Sequence, residues 1–321
     1  MQAVRVHEGG ELRFEPVADP EPRPGWVVVE LRTAGLNRRD LLVSKGVYPF
    51  PLPLVPGSDG AGIRRDTGED VVVLPGLYWG PDDNAGGPDW EILGGPSDGT
   101  YAELVTVPVE NVARRPAGWA WEESGAFALA ALTAYRALFT VGRVRGHETV
   151  LVLGAGSGVS TFAVQLAAQE GIRVLVTSSS DEKIERAVSL GAEGGFRYDD
   201  GDWPAAVREA TGGRGAEVVL DSVGSTWPES VRASARGGRI VVFGGTGGAE
   251  VTVPLREVYL EWRSLLGTTM GSPRDYAGLL RMLDQGSIRP VIDSVFPLAE
   301  AVAAQQRLTG DHFGKLVLSI S

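Results

Sequence analysis

The stretch VLVLGAGSGVS at residues 150–160 decides the fold class of this chain. An apolar strand, expected over Thr149–Leu153, leads into small residues that permit a tight turn. Apolar residues at helical spacing follow over Ser160–Glu170, so a helix begins directly after the turn. The free N–H groups and the positive end of such a helix favour a pyrophosphate group. The spacing departs from G-x-G-x-x-G because Val159 takes the third glycine position, and a glycine turn without a ligand remains the alternative.

The region around this stretch alternates between strands and helices. Further strands are expected over Arg173–Thr177, Glu217–Asp221, Arg239–Phe243 and Leu265–Thr269, with helices over Asp181–Leu190 and Tyr276–Gln285. Such succession predicts an α/β unit with a parallel sheet covered by helices on both faces. Residues 1–118 are instead β-rich, with short alternating runs between Pro/Gly turns. The Pro/Gly/Asp-rich segment 75–99 is long enough to be a functional loop or a packed excursion.

The end of the second strand indicates which nicotinamide cofactor fits. An acidic side chain is usual there when the ribose carries a free 2′-OH. Here the strand runs into Ser178, Ser179 and Ser180, and Lys183 follows at once. Hydroxyls and a lysine suit a 2′-phosphate, which a carboxylate would repel. A solvated helix lysine is the alternative interpretation of Lys183.

Composition excludes several classes of function. The net charge is −11 and no basic cluster is present, which argues against nucleic-acid binding. Cysteine is absent and there are three histidines, so disulfides, thiol nucleophiles and Cys-containing zinc sites are excluded. No apolar run is long enough for a membrane span, and the first residues do not resemble a signal peptide. We therefore expect no membrane association, a cytoplasmic location and no bound metal.

The chain resembles the medium-chain dehydrogenase/reductase superfamily, and within it the zinc-independent quinone-oxidoreductase-like branch. The resemblance covers essentially the whole length. Its markers, besides the glycine turn, are residues 34–40 (AGLNRRD), 55–62 (VPGSDGAG), 99–103 (GTYAE), 131–135 (ALTAY), 189–193 (SLGAE), 237–240 (GGRI) and 314–318 (GKLVL). It implies a GroES-like catalytic and substrate domain over 1–120 and 271–321, and a Rossmann NADP-binding domain over 121–270.

The resemblance also implies roles for individual residues. Asn37 and the pair Ser58-Asp59 stand where zinc-dependent members carry a Cys and a His-Glu pair, so both composition and position argue against a metal. Lys183 and Tyr198 match the pair that holds the 2′-phosphate in NADPH-using members. The residues expected beside the reacting groups are Asn37, Tyr48 and Thr133. The residues expected to bind NADPH are Gly154, Gly156, Ser157, Gly158, Val159, Ser178, Ser179, Ser180, Lys183, Tyr198, Ser222, Phe243, Gly244, Thr246, Thr268, Thr269 and Lys315.

A site without a metal must use hydrogen-bond donors, or an acceptor that is already electrophilic. Hydride addition to a quinone or an α,β-unsaturated carbonyl gives a delocalised anion, whereas zinc polarises simple carbonyls directly. The predicted function is therefore NADPH-dependent reduction of such a small molecule, in a protein that the resemblance suggests is a homodimer. Two alternatives stay open: an alcohol or aldehyde dehydrogenase, and a non-catalytic, crystallin-like NADPH-binding protein. Asp40 and Asp59 are expected to be buried structural carboxylates.

Overall fold

The computed structural model describes residues 1–21, 23–248 and 250–320 and divides into two compact units. The first unit comprises Met1–Ala130, Ser272–Tyr276 and Arg289–Ser321, and the second comprises Ala131–Gly271 and Ala277–Ile288. The first boundary therefore falls after Ala130 rather than after residue 120. Residues 277–288 belong to the second unit, although we predicted them in the first domain.

Strands and helices are numbered in chain order. The strands are β1 (Gln2–Val6), β2 (Leu12–Pro16), β3 (Trp26–Gly35), β4 (Asp59–Arg64), β5 (Asp70–Val73), β6 (Gly76–Leu77), β7 (Glu91–Ile92), β8 (Leu104–Pro108), β9 (Val112–Arg114), β10 (Thr149–Val152), β11 (Arg173–Ser178), β12 (Gly194–Arg197), β13 (Ala216–Asp221), β14 (Ser234–Val242), β15 (Ser264–Gly267), β16 (Ile292–Pro297) and β17 (Lys315–Ser319). The helices are α1 (Arg38–Ser44), α2 (Trp121–Ser124), α3 (Ala128–Tyr135), α4 (Gly158–Gln169), α5 (Asp181–Ser189), α6 (Trp203–Ala210), α7 (Trp227–Ala233), α8 (Leu255–Tyr259), α9 (Pro273–Leu283) and α10 (Ala301–Thr309). A π-helical turn over Arg136–Val141 continues α3.

The first unit is built on a seven-stranded sheet of order β16-β17-β3-β4-β5-β9, with β8 also paired to β3. Residues of β3 alternate between buried and half-buried, as expected for a strand with one face on a core. That core includes Val29 and Leu31 of β3 and Leu316 and Leu318 of β17. The antiparallel pairing of β17 with β3 brings the C-terminal strand beside the start of α1, where the site described below is built.

The segment 75–99 is a packed excursion of the first unit. Strands β6 and β7 pair within it, and Trp79 meets Trp90 edge-on with ring centres 5.5 Å apart. Leu77 and Leu93 are fully buried. These contacts support the packed excursion, one of the two alternatives weighed from the sequence, and do not bear on a functional role of the segment.

The second unit is a parallel six-stranded sheet of order β12-β11-β10-β13-β14-β15. The predicted strands and helices reappear with ends shifted by a few residues, and β14 begins at Ser234 rather than Arg239. Helix α9 begins earlier than predicted because Ser272 and Asp275 form a reciprocal cap, with N···O distances of 2.8 and 3.2 Å. Strand order reverses between β10 and β13, so a crevice lies at their carboxyl ends.

None of the helices in the described part of the chain is both long and apolar enough to cross a membrane.

Candidate active site

The turn after β10 has the backbone that its glycines permit. Gly154 and Gly156 have φ angles of 71° and 107°, a region that residues with a side chain disfavour. The neighbouring strand β11 holds the turn, because the carbonyl oxygen of Thr177 accepts a hydrogen bond from Ala155 N at 2.7 Å. A glycine-rich turn is thus fixed at the end of the central strand.

Helix α4 begins directly after this turn. Ser157 caps it, since its hydroxyl oxygen accepts from Ser160 N at 3.1 Å. An α-helix has no internal acceptor for its first N–H groups, so Gly158 and Val159 present donors at the carboxyl end of β10. Valine at position 159 does not disturb this arrangement because only its backbone is needed. The five predicted residues of the turn are therefore brought together around the N-terminal end of α4, a position that favours an anion.

The predicted 2′-phosphate residues gather at the end of β11. Ser178 lies opposite the last residue of β12, and its carbonyl oxygen accepts from Tyr198 N at 3.0 Å. Ser180 caps α5 by accepting from Lys183 N at 3.4 Å, which places Lys183 in the first turn of that helix. Tyr198 is half exposed, and Ser179 is exposed. These residues follow two adjacent strands and border a common edge of the sheet.

Arg197 lies beside the predicted 2′-phosphate residues, and the sequence analysis did not name it. It ends β12 immediately before Tyr198, and its guanidinium donates to Asp199 at 2.9 and 3.0 Å and lies 3.7 Å from Asp181. These two carboxylates compensate its charge. The signal was present in the sequence as a basic residue next to a predicted phosphate contact.

Asp221 organises the other side of the crevice and was also missed. The carboxylate ends β13 and is fully buried. One oxygen accepts from Val223 N and Gly224 N at 2.8 and 2.9 Å, and the other accepts from Thr226 and Ser230 hydroxyls at 3.1 and 2.9 Å. Only its place at a strand end could have indicated this role.

The remaining predicted cofactor residues follow β13, β14 and β15. The loop after β13 is tied to the loop after β14, since the carbonyl oxygen of Ser222 accepts from Thr246 N at 3.2 Å. Phe243 is half-buried, while Gly244, Thr246 and Thr269 are exposed. The Thr268 hydroxyl accepts a hydrogen bond from Nε of the buried Arg136 at 3.1 Å. The sequence analysis did not name Arg136 as a residue that positions this loop.

In the first unit, Asn37 and Lys315 meet in a buried cluster with Asp59. Lys315 Nζ donates to Asn37 Oδ1 at 2.6 Å, to Asp59 Oδ2 at 3.1 Å and to the carbonyl oxygen of Leu36 at 2.7 Å. Asn37 Nδ2 donates to Asp59 Oδ2 at 3.0 Å. These contacts correct the prediction that Lys315 binds the cofactor, because all three of its ammonium protons are already donated. Asn37 is likewise a partner of the ion pair rather than a free hydrogen-bonding group.

Asp40 lies beside this cluster and is fully buried. Its Oδ2 accepts from Asn37 N at 2.8 Å and from the Tyr101 hydroxyl at 3.1 Å. Burial raises the pKa of Asp40 to about 6, against the opposing effects of Arg39 and the Asn37 hydrogen bond. Burial likewise holds the pKa of Tyr101 well above its usual value, and the neighbouring Asp40 adds to this shift. Asp40 thus has the structural role predicted for it.

The polar side chains of the cluster formed by Asn37, Asp59 and Lys315 are not suited to act as zinc ligands. Asp59 Oδ1 accepts from Leu129 N at 2.6 Å, and Oδ2 is shared by Asn37 and the Lys315 ammonium. Asn37 and Ser58 stand at the positions for which the resemblance implies thiolate and imidazole ligands in zinc-dependent relatives, so an amide and a hydroxyl replace them. Across residues 1–21, 23–248 and 250–320, no group of three or more His, Asp or Glu side chains is placed to hold a metal ion.

The other two predicted catalytic residues differ in exposure. Tyr48 is 39% exposed and its ring stacks on that of Phe50, with centres 5.8 Å apart. Thr133 is buried within α3 and belongs to the second unit. Tyr276 is a further tyrosine of interest, because its hydroxyl is buried without a hydrogen-bond partner among the described residues. Burial raises the pKa of Tyr276, so the phenol stays neutral.

The sheet order of the second unit, with a glycine turn and a helix after β10, is typical of the dinucleotide-binding domains of enzymes. Two family models match: "Alcohol dehydrogenase GroES-like domain" over residues 23–117 and "Zinc-binding dehydrogenase" over residues 158–285. The chain belongs to the medium-chain dehydrogenase/reductase superfamily, whose members include alcohol dehydrogenases and quinone oxidoreductases.

Individual relatives support this assignment over nearly the whole chain. A zinc-type alcohol dehydrogenase-like protein of Schizosaccharomyces pombe is 36% identical, covering 92% of this chain and 91% of that protein. A quinone oxidoreductase of Pseudomonas aeruginosa is 32% identical over the same shares. A crystal structure of an NAD-dependent alcohol dehydrogenase superposes with a TM-score of 0.95 at 38% identity, covering all of both chains. The protein is an oxidoreductase of this superfamily.

Proposed function

We propose that the protein reduces quinones or α,β-unsaturated carbonyl compounds with NADPH and without a catalytic metal ion. The observation that carries this proposal is the buried cluster of Asn37, Asp59 and Lys315. An ammonium group already neutralises the carboxylate that stands at a zinc-ligand position of related enzymes. Without a Lewis acid, the acceptor must stabilise its own developing charge, which quinones and enones do by delocalisation.

The choice of NADPH is supported by the end of β11. Three serines stand where an NAD site carries a carboxylate, and Lys183 and Tyr198 border the same edge of the sheet. A lysine ammonium is a suitable partner for a phosphate dianion. The structural relative named as NAD-dependent makes NADH the necessary comparison.

The residues of this chain bind and orient the reactants. Bound NADPH supplies the hydride. The glycine turn and the start of α4 hold the pyrophosphate, so that binding energy fixes the geometry for transfer. In the first unit, the buried ion pair of Lys315 and Asp59 fixes Asn37 at the start of α1. The half-exposed Tyr48 forms a wall for the acceptor, and water protonates the reduced product.

The decisive experiment measures NADPH oxidation with phenanthrenequinone and with a cyclic enone. We expect turnover with at least one acceptor, and kcat/KM for NADPH about tenfold or more above that for NADH, a difference of about 1.4 kcal/mol. Lys183→Ala and Tyr198→Phe should raise the Kd for NADPH and leave that for NADH unchanged. Lys45→Ala, an exposed lysine of the first unit, is the matched control.

Two outcomes would overturn the proposal. Oxidation of a primary alcohol with NAD, without reduction of quinones or enones, would favour the alcohol dehydrogenase alternative suggested by the structural relative. Tight NADPH binding without any acceptor turnover would favour the non-catalytic alternative.

We further propose that the protein is a homodimer that joins through β15. This strand forms one edge of the parallel sheet, so one row of its backbone groups lacks a strand partner within the described chain. A second copy related by two-fold symmetry satisfies both edges at once.

A further inference from the structure

Arg39, in the first turn of α1, binds an entire stretch of backbone from the segment 75–99. Its Nη1 donates to the carbonyl oxygens of Leu93 and Gly94, both at 3.3 Å. Its Nη2 donates to the carbonyl oxygens of Ile92 at 3.2 Å and Gly95 at 2.6 Å. One planar guanidinium thus fixes four consecutive residues, a use that suits its forked geometry.

The same guanidinium faces the aromatic pair that contains Tyr48. Its central carbon lies 5.8 Å from the ring centres of both Tyr48 and Phe50. The two rings stack with an angle of 18° between their planes. Gly95 passes so close to Phe50 that a Cβ atom there would collide with the ring. Arg39 therefore joins α1, the aromatic pair and residues 92–95 into one packed layer of the first unit.

Packing these segments around Arg39 has a high free-energy cost, because the side chain is charged. Every hydrogen bond recorded for it in the described chain ends on a neutral oxygen, four of them backbone carbonyls and the fifth the Ser58 hydroxyl at 3.4 Å. Burial lowers the pKa of Arg39, and the nearby charges of Asp40 and Glu91 oppose this shift without a direct hydrogen bond to the guanidinium. Burying such a charge costs more than burying an apolar side chain in the same space. The guanidinium, unlike an apolar side chain, fixes the position of the 92–95 backbone relative to the Tyr48 ring.

We propose that Arg39 is a positioning residue for the acceptor: it holds the Tyr48 ring and residues 92–95 as one rigid wall of the acceptor-binding surface. The wall selects planar acceptors that lie flat on Tyr48, and Arg39 itself does not touch them. This inference rests on the proposed function, because it takes Tyr48 as an acceptor contact.

The kinetic test compares Arg39→Met and Arg39→Lys with Arg38→Met, the exposed neighbour on the same helix. We expect Arg39→Met to raise KM for phenanthrenequinone about tenfold, with a smaller change in kcat and an unchanged Kd for NADPH. Arg39→Lys keeps the charge but loses the fork, so it should shift KM in the same direction. Arg38→Met should match the unaltered protein. An equal shift in Arg38→Met, or a parallel rise in the Kd for NADPH, would overturn the proposal.

A double-mutant cycle shows whether Arg39 acts through Tyr48. In a Tyr48→Ala background, Arg39→Met should have little further effect on KM, because the ring that it positions is absent. Additive effects of the two substitutions on KM would show that Arg39 does not act through Tyr48.

Hydrogen exchange separates this inference from the proposed function. Arg39→Met or Arg39→Lys should speed amide exchange in residues 46–50 and 92–96 and leave residues 150–160 unchanged, with or without turnover. If the variants exchange faster but the protein reduces no acceptor, the rigid wall formed by Arg39 is supported and the proposed function is wrong. Unchanged exchange in both variants, in a protein that reduces quinones, would remove the wall and retain the function.

Discussion

At the scale of single residues, the buried carboxyl group of Asp40 links stability to pH. Burial raises its pKa from an ordinary value of 3.8 to about 6. The folded protein therefore binds this proton more tightly than the unfolded chain does. The protonation of Asp40 therefore stabilises the fold. This contribution is fully present below the pKa of Asp40 in the unfolded chain and is lost as pH rises through its pKa in the folded protein. At neutral pH the carboxylate is charged, and its hydrogen bonds from Asn37 and Tyr101 offset only part of the burial cost.

Replacing Asp40 by Asn should remove this pH dependence. On going from about pH 7.5 to about pH 5, we expect the unaltered protein to gain about 1 kcal/mol of unfolding free energy relative to Asp40→Asn. Urea unfolding of both proteins at the two pH values measures the difference. Asp66→Asn is the control, because Asp66 is exposed and its hydrogen bond to Arg64 lowers the pKa of its carboxyl group. Parallel pH profiles for Asp40→Asn and the unaltered protein would contradict the assignment.

At the scale of elements, the turn between β10 and α4 depends on its backbone angles more than on space. An alanine Cβ at Gly154 would meet no atom within 4 Å, but φ there is 71°. Gly154→Ala should therefore lower the unfolding free energy by about 1 kcal/mol and raise the Kd for NADPH. Gly146→Ala is the matched control, since Gly146 has equal space and no positive φ. Fluorescence titration and urea unfolding of both variants decide the matter, and equal behaviour of the two would refute this explanation of the turn.

Local patterns made this turn and the strands around it predictable from the sequence. Strand periodicity and small residues act over a few positions, so β10 and α4 can be predicted directly. The cluster around Lys315 could not be read in this way, because Lys315 and Asp59 are 256 positions apart and meet through the pairing of β3 with both β17 and β4. The contacts of Arg39 with residues 92–95 likewise depend on how the long segment folds back. Side-chain roles set by such distant pairings lie beyond local sequence reasoning.

At the scale of the whole molecule, the segment before β15 exposes large apolar side chains beside charged residues such as Arg256 and Glu261. Leu255, Tyr259, Leu260 and Trp262 are 72, 62, 50 and 65% exposed, and all precede this edge strand directly. Exposed apolar side chains beside an unpaired strand edge are typical of an interface. In the homodimer that we propose, two-fold pairing at this edge would continue the sheet and cover the same residues on both partners.

The assembly is testable by a single charge. Trp262→Glu places a carboxylate on this face, where burial against a second copy would desolvate it. We expect sedimentation velocity to show a dimer for the unaltered protein and a shift toward monomer for Trp262→Glu. Phe14→Glu, at an exposed aromatic residue of the first unit, should stay dimeric. A monomeric unaltered protein would refute the dimer. A dimeric Trp262→Glu would place the interface elsewhere, because the substitution removes from this face the indole ring that lies 4.2 Å from the Arg236 guanidinium carbon.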